Sequence, residues 1–407
     1  MHRSLIVLPD DTGQPLVDAI AAAKESLRIK IFLFSDPALL AAVLAAQHRG
    51  VKVRVMLNPA RRSGEAENQA TREALEGAGV EVKDSNPAFD ITHEKSLVVD
   101  GETAFIQSLN WETRNLTETR DFAVVTSHRH EVDEIVECFD ADWNRDKFDP
   151  GEDSHLVWCN INGRNRVARF IDAAQESLFL QNERYQDEVI IERLVRATRR
   201  GVKLHVLARP AHFLKKGKLV EGVEGLRILQ DLGAKVHRLK GLKLHAKLML
   251  ADGKHVIIGS INLAPGSFDS RRELAIEVHD ESVVKRVQEV VHQDWENSHP
   301  LDLSDEGLLK DLQENEPDVA EMLALDDHHV NHGHHGHGGH NGHDAHQAHG
   351  HQIKQRQSTA ITQQEQQLFL DVGEDSGRHV NDHGIPFRST LRKPLPIAPF
   401  RLDLLYP

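Results

Sequence analysis

Cysteine is nearly missing from this chain: Cys138 and Cys159 are the only two in 407 residues. Two thiols so placed form neither a disulfide framework nor a zinc-ligand pattern, and both read as reduced and buried. Long apolar runs are missing too. The longest candidate, DPALLAAVLAAQHRG, is shorter than the ~18 apolar residues a membrane-spanning helix requires, and it reads as a buried helix. The opening MHRSLIVLPDD is too short an apolar stretch for a secretory signal, and acids follow it at once. The expectation is a cytoplasmic chain, at most peripheral to a membrane. Positive charge is in deficit as well. Lys and Arg number 49 against 63 Asp and Glu, for a formal charge of -14, and residues 1–300 carry 41 against 46. Overall charge therefore does not hold this chain to nucleic acid, although a local basic groove stays open.

What the chain does have is an internal repeat. Gly50-Val51-Lys52 matches Gly201-Val202-Lys203, and Ser26 matches Ser177, at an offset of 151. LEGAGVEV from Leu75 matches LQDLGAKV from Leu229, THEKSLVVDG matches LHAKLMLADG, and Trp143 matches Trp295 at an offset of 152. A nearly constant offset over such a length means duplication. Each half reads as alternating strands and helices. VKVRVML and VKLHVLA are β-branched strands that follow helices ending at Arg-Gly. SLVVDGETAFIQSL and KLMLADGKHVIIGSI are apolar runs joined at Asp-Gly, a hairpin signal. HRHEVDEIVECFDADW and DESVVKRVQEVVHQDW are amphipathic closing helices, with Trp143 and Trp295 as their core anchors. The fold class is α/β: two tandem α/β/α domains over residues 1–150 and 151–300, with mixed sheets packed face to face. Residues 301–407 then form an acidic, His-rich, largely disordered tail.

The repeated segment also carries the chemistry. Strand residues two apart share a face, so His93 and Lys95 project together. A turn centred on Asp100 and Gly101 puts His93 opposite Ser108; a turn one residue later puts it opposite Asn110. Either register brings Ser108 and Asn110 to the His/Lys face. The second half repeats this with His245, Lys247, Asp252, Ser260 and Asn262. An ammonium, a hydroxyl and an amide suit the oxygens of a phosphodiester. An imidazole attacks or moves protons near neutral pH. Two imidazoles on opposite sides of one phosphorus allow in-line displacement.

The spacing His-x-Lys-x-x-x-x-Asp followed by Ser-x-Asn, present twice in strand-turn-strand settings, resembles the HKD motif of the phospholipase D superfamily. The resemblance covers about residues 1–300 and looks most like the phospholipase D and cardiolipin synthase branch. It implies catalysis by His93, Lys95, His245 and Lys247 through a phosphohistidine on His93, with His245 as general acid and then base. It further implies that Asp121 and Glu273, each after an arginine, orient the two histidines through Nδ1. Ser108, Asn110, Ser260 and Asn262 would bind substrate, while Asp100 and Asp252 at the turns would be structural. No cofactor and no active-site metal are implied. One departure stands out: the family's Gly-Ser-x-Asn is kept at Gly259-Ser260, but the first half has Gln107-Ser108, which implies altered packing rather than lost chemistry.

The implied activity is a phosphodiesterase that hydrolyses or exchanges phospholipid headgroups. A cardiolipin synthase-type phosphatidyltransferase, a metal-independent endonuclease and a non-catalytic scaffold are the other readings. The expected partners are a phospholipid or other phosphodiester and a peripheral membrane contact, with nucleic acid disfavoured and the oligomeric state open. HFLKKGKLV, with Phe213 and Leu214 beside Lys215, Lys216 and Lys218, has the mix for an interfacial loop. Glu183 and Tyr185 follow a buried-type strand where the fold could line the site. The tract from His328 to His351 holds 11 histidines. Among these, His328, His329, His332, His334, His335, His337 and His340 suit weak binding of a divalent transition metal. Residues after about 305 are expected to be dispensable for chemistry.

Overall fold

A computed structural model describes residues 2–59, 66–210 and 219–315. The HFLKKGKLV loop up to Lys218 and the histidine tract lie outside the described residues.

The duplication shows first in local devices. Asp36 opens helix Pro37–His48 by accepting from the backbone N–H groups of Ala38 and Leu39, both at 3.0 Å. Asp187 opens Glu188–Arg199 by accepting from Ile190 N–H at 3.1 Å. Both acids satisfy donors that a helix start leaves orphaned. Each helix ends at Arg-Gly, with Gly50 at φ 90° and Gly201 at φ 95°, a conformation that costs glycine little.

In the first half, strands run in the order Arg3–Leu8, Thr119–Thr126, Thr103–Gln107, Ser96–Val99, Ser26–Ile31, Lys52–Leu57, Glu81–Asp84. The last three are parallel and the rest antiparallel. The second sheet, with order Ser298–Pro300, Lys235–Leu239, Lys203–Leu207, Ser177–Gln181, Leu248–Ala251, His255–Gly259, Leu274–Val278, Leu156–Trp158, repeats that mixture. Both sheets contribute to one central apolar cluster: Val98, Ile106 and Val124 from the first meet Leu248, Ile258 and Ile276 from the second. The buried faces of helices Arg129–Asn144 and Glu281–Glu296 join this cluster. Helices Gln14–Ala22 and Pro37–His48 cover the other face of the first sheet, and Gly163–Ala173 and Glu188–Arg199 that of the second. The two tandem α/β/α domains with face-to-face sheets are therefore present.

Three local expectations are corrected. Val99 pairs with Thr103 and Ser96 with Ile106, which is neither of the two hairpin registers. Asp100 and Gly101 both take positive φ, at 54° and 65°, and Glu102 adds one residue before pairing resumes, as in a bulged hairpin. The second domain also continues past residue 300. Helix Asp305–Asn315 buries Leu308 and Leu312, and Leu308 joins the second domain's core beside Leu301 and Leu303. Finally, Trp143 is buried on Phe139 and Met56, but Trp295 is only partly buried, stacked 4.0 Å from His237. Cys138 and Cys159 are buried free thiols. Among the described residues, no helix is long and apolar enough to cross a membrane.

Candidate active site

The two halves are laced together beside their repeated motifs. Two-residue strand Ile91–Thr92 pairs in parallel with Arg271–Arg272, and Lys243–Leu244 pairs with Thr119–Arg120. The residue after each short strand is therefore delivered to the opposite half. His93 N–H donates to Arg272 O at 2.9 Å, and His245 N–H donates to Arg120 O at 3.2 Å. His93 Nδ1 lies 2.9 Å from Glu273 Oε2, and His245 Nδ1 lies 2.8 Å from Asp121 Oδ1. Each histidine is thus oriented by the other domain's acid. The preceding arginines cross as well: Arg272 forks onto Asp142 at 2.9 and 3.0 Å, and Arg120 onto Asp294 at 2.8 to 3.1 Å.

The sequence profile of the family described as cardiolipin synthase, phospholipase D-like domain matches residues 16–143 and again 167–295. The chain belongs to the phospholipase D superfamily. Cardiolipin synthase B of Shigella flexneri is 25% identical over 307 residues, covering 64% of this chain and 72% of that protein. Polyphosphate kinase of Vibrio cholerae is 25% identical over 285 residues, 66% of this chain but 39% of the kinase. This phospholipase D family member thus spans about two fifths of the length of the polyphosphate kinase it matches. In fold it resembles phosphatidylserine synthase of Haemophilus influenzae, with a TM-score of 0.62 at 12% identity, over 80% of this chain and 93% of that one.

Both motif lysines of this phospholipase D-like chain turn into the shared site. Lys95 Nζ donates to His93 O, and Lys247 Nζ to His245 O and to Glu183. The turn aspartates do not reach it. Asp100 accepts from the N–H groups of Lys24, Glu25 and Ser26 at 3.0, 2.7 and 2.9 Å, and Asp252 does the same for Gln175, Glu176 and Ser177. The serines differ from the expected phosphate donors. Ser108 is fully buried and donates to Asp121 at 2.6 Å; Ser260, also fully buried, bonds to the backbone of Leu274 and sits against Glu273. They fall beneath the acids because His93–Lys95 lie outside the ladder, so strict alternation does not carry the serines to the same face. Asn110 and Asn262 are buried, each with a side-chain oxygen that has no protein partner and is free to accept from a hydroxyl or water. Gln107 and Gly259 answer to packing. Gln107 accepts from Trp111 Nε1 at 3.0 Å, whereas a Cβ at Gly259 would meet Leu274 O at 2.3 Å.

The sequence reading missed an asymmetry. Glu183 stands where the repeat places Phe32, and Arg209 where it places Asn58. Phe32 sets its ring edge against His93, 5.2 Å between centroids, and lies 5.2 Å under Lys95 Nζ. Glu183 instead takes Lys247, accepts from Arg209 at 2.7 Å, and approaches His245 Nε2 to 3.7 Å. Tyr185, in contrast, is fully buried with its hydroxyl on Leu207 O, so it serves the core and not the site.

Charge follows this layout. Burial pushes the His93 pKa well below the usual histidine value, and Lys95, Lys247 and Arg271 add to that shift. Burial lowers His245 too, against the opposing pull of Asp121. Lys95 is pushed down to about 7, chiefly by burial. Burial acts against the charged form of Glu183, but Arg209, Lys247 and His245 outweigh it and hold its pKa well below the carboxylate range. Burial raises that of Glu273. Glu94, Cys138 and Asp142 have metal-like spacing, but the Lys30 ammonium sits among them at 3.0, 3.4 and 2.8 Å. They therefore form a buried ion network.

Proposed function

We propose that this chain is a phosphodiesterase that hydrolyses or exchanges phospholipid headgroups through a phosphohistidine. The crossed pairs His93–Glu273 and His245–Asp121, with Lys95 and Lys247 beside them, carry the reading. Each acid fixes the tautomer that leaves Nε2 available for chemistry. His93 takes the nucleophile's role: cations surround it, so its ring stays neutral. His245 takes the general acid's role, with carboxylates toward both ring nitrogens. In the first step His93 Nε2 bonds to phosphorus, the P–O bond to the alcohol breaks, and His245 protonates the leaving oxygen. In the second step water or an alcohol gives its proton to His245 while its oxygen displaces His93 from phosphorus. Lys95 and Lys247, joined by the amide N–H groups of Asn110 and Asn262, would hold the phosphoryl oxygens.

Support for a lipid comes from beside the site. A cavity of about 720 Å³ is lined from helices Glu188–Arg199 and Leu219–Asp231 and from the loops beside them, by Arg184 and Arg271, by Glu188, Glu192 and Glu224, and by Ile191, Val195 and Ile228. The arginines and the apolar side chains suit a phosphate with an apolar extension, and the three carboxylates offer acceptors to hydroxyls. The similarity to polyphosphate kinase across both halves favours phosphoanhydride transfer as the second reading. The deciding experiment offers phosphatidylcholine, phosphatidylglycerol, single-stranded DNA, bis(p-nitrophenyl) phosphate, and ATP with polyphosphate, each in EDTA. Turnover of the phospholipids supports the proposal; turnover of polyphosphate alone, or of DNA without liposome binding, replaces it.

A further inference from the structure

The two histidines have unlike neighbours, and only one of those neighbours can recognise an alcohol. Where the repeat places Phe32 against His93, it places Glu183 against His245, with Oε2 3.7 Å from Nε2. The site is nearly closed: Glu183 is 12% exposed and His245 9%. A buried carboxylate next to a phosphoryl site repels the phosphate, so a role in holding the phosphate itself is unsuited to it. Its charge is already answered, since Lys247 and Arg209 both donate to it. A cationic headgroup would therefore compete with two resident cations. A neutral hydroxyl would not, because a carboxylate oxygen accepts more than one hydrogen bond.

We propose that Glu183 is the specificity-determining residue for the alcohol side of the reaction, selecting alcohols that carry a second hydroxyl next to the reacting one. The reacting oxygen exchanges its proton with His245 Nε2, and the neighbouring hydroxyl donates to Glu183 Oε2. Neighbouring oxygens of a 1,2-diol are close enough to engage two atoms 3.7 Å apart. The first half cannot do this. Phe32 offers no acceptor, and Asn58, at the place of Arg209, has its side-chain oxygen engaged by Thr92 N–H at 3.1 Å. The inference rests on the phosphohistidine reading above and adds the class of alcohol to it.

The test separates the two. With bis(p-nitrophenyl) phosphate as donor, nitrophenolate release reports formation of the phosphoryl-enzyme, whatever the natural donor. The products then show how that intermediate divides among water, 1-propanol and 1,2-propanediol at equal alcohol concentrations. The wild type should favour the diol over the mono-alcohol by roughly tenfold, the worth of one hydrogen bond to a charged acceptor. Glu183→Ala should bring that ratio near one, and Glu183→Gln, which keeps an acceptor oxygen, should lie between. A ratio taken within each variant is insensitive to loss of total activity. A second arm offers free glycerol against glycerol carried by phosphatidylglycerol vesicles; capture of either supports the assignment and names the source, and capture of neither overturns it. An unchanged ratio in Glu183→Ala, or hydrolysis product alone, also overturns it while the phosphodiesterase reading stands. Absence of nitrophenolate release removes both.

Discussion

The ring of His93 is held from the other half of the chain: its Nδ1 lies 2.9 Å from Oε2 of Glu273, 180 residues downstream. His245 and Asp121 form the reciprocal pair. Neither domain alone therefore contains a complete histidine-acid unit.

The division of labour predicts a leaving-group test. His93→Ala and His245→Ala should each lower turnover of a phospholipid by several orders of magnitude, with the double variant little worse than either. With bis(p-nitrophenyl) phosphate they should part. Nitrophenolate leaves without a proton, so His245→Ala and Asp121→Asn recover much of the rate of the first step, read as a burst of nitrophenolate, while the second step stays slow for want of its base. His93→Ala and Glu273→Gln do not, because the attacking nitrogen is lost or its tautomer reversed. Equal recovery of both sets would show that the roles are not divided.

The pH profile should already be falling by about pH 7. Lys95, with its pKa pushed down to about 7, is charged below that pH and loses its charge above it. His245, lowered from its ordinary value, likewise gives up the leaving group's proton as pH rises. His93, lowered well below its ordinary value, remains neutral throughout. Thus kcat/KM should begin to decline below the ordinary histidine value, as His245 loses its proton, and fall further through about pH 7 as Lys95 loses its charge. The limb in kcat should lie higher, since a bound phosphodiester favours protonated Lys95. A profile still rising through pH 8 would contradict the burial of Lys95.

The crossed arginines predict a stability effect distinct from catalysis. Asp142→Asn leaves Lys30 and Arg272 buried with reduced compensation, and should cost about 3–5 kcal/mol in denaturant unfolding. Asp133→Asn, which breaks the exposed pair with Arg129, should cost at most about 0.5 kcal/mol. Burial works against the charge on Asp142, and Lys30 and Arg272 outweigh it to bring its pKa to about 2. Its folded pKa is depressed, so its stabilisation is present above the unfolded value of about 4 and is lost as pH falls toward 2. Equal unfolding midpoints for the two variants would refute this account.

Truncation should discriminate within the last described helix. A chain ending at Asn315 keeps Leu308 and Leu312, both buried. One ending at Ser304 loses them, along with the Arg227–Asp305 pair at 2.5 Å, and should melt several degrees lower. Equal melting temperatures would return the domain boundary to about residue 300.

The duplication, the α/β class and the chemical groups of the site were all legible in the chain, because they rest on local spacing. Period-two and helical patterns, Asp-Gly turns and a repeat offset are properties of neighbours in sequence. Tertiary structure alone decided the crossing of the acids, since parallel pairing of Ile91–Thr92 with Arg271–Arg272 joins residues 180 apart. It also moved Ser108 from the expected phosphate face to the support of Asp121, because His93–Lys95 leave the ladder and the hairpin takes a register that period-two counting does not foresee. Glu183 had a local signal, a polar residue at a strand end, but its partners Lys247 and Arg209 come from other segments. Which ionisable groups lose their water, and which charges then face them, is set by packing; that is why the sequence named the site's residues and the fold alone distributed their charge.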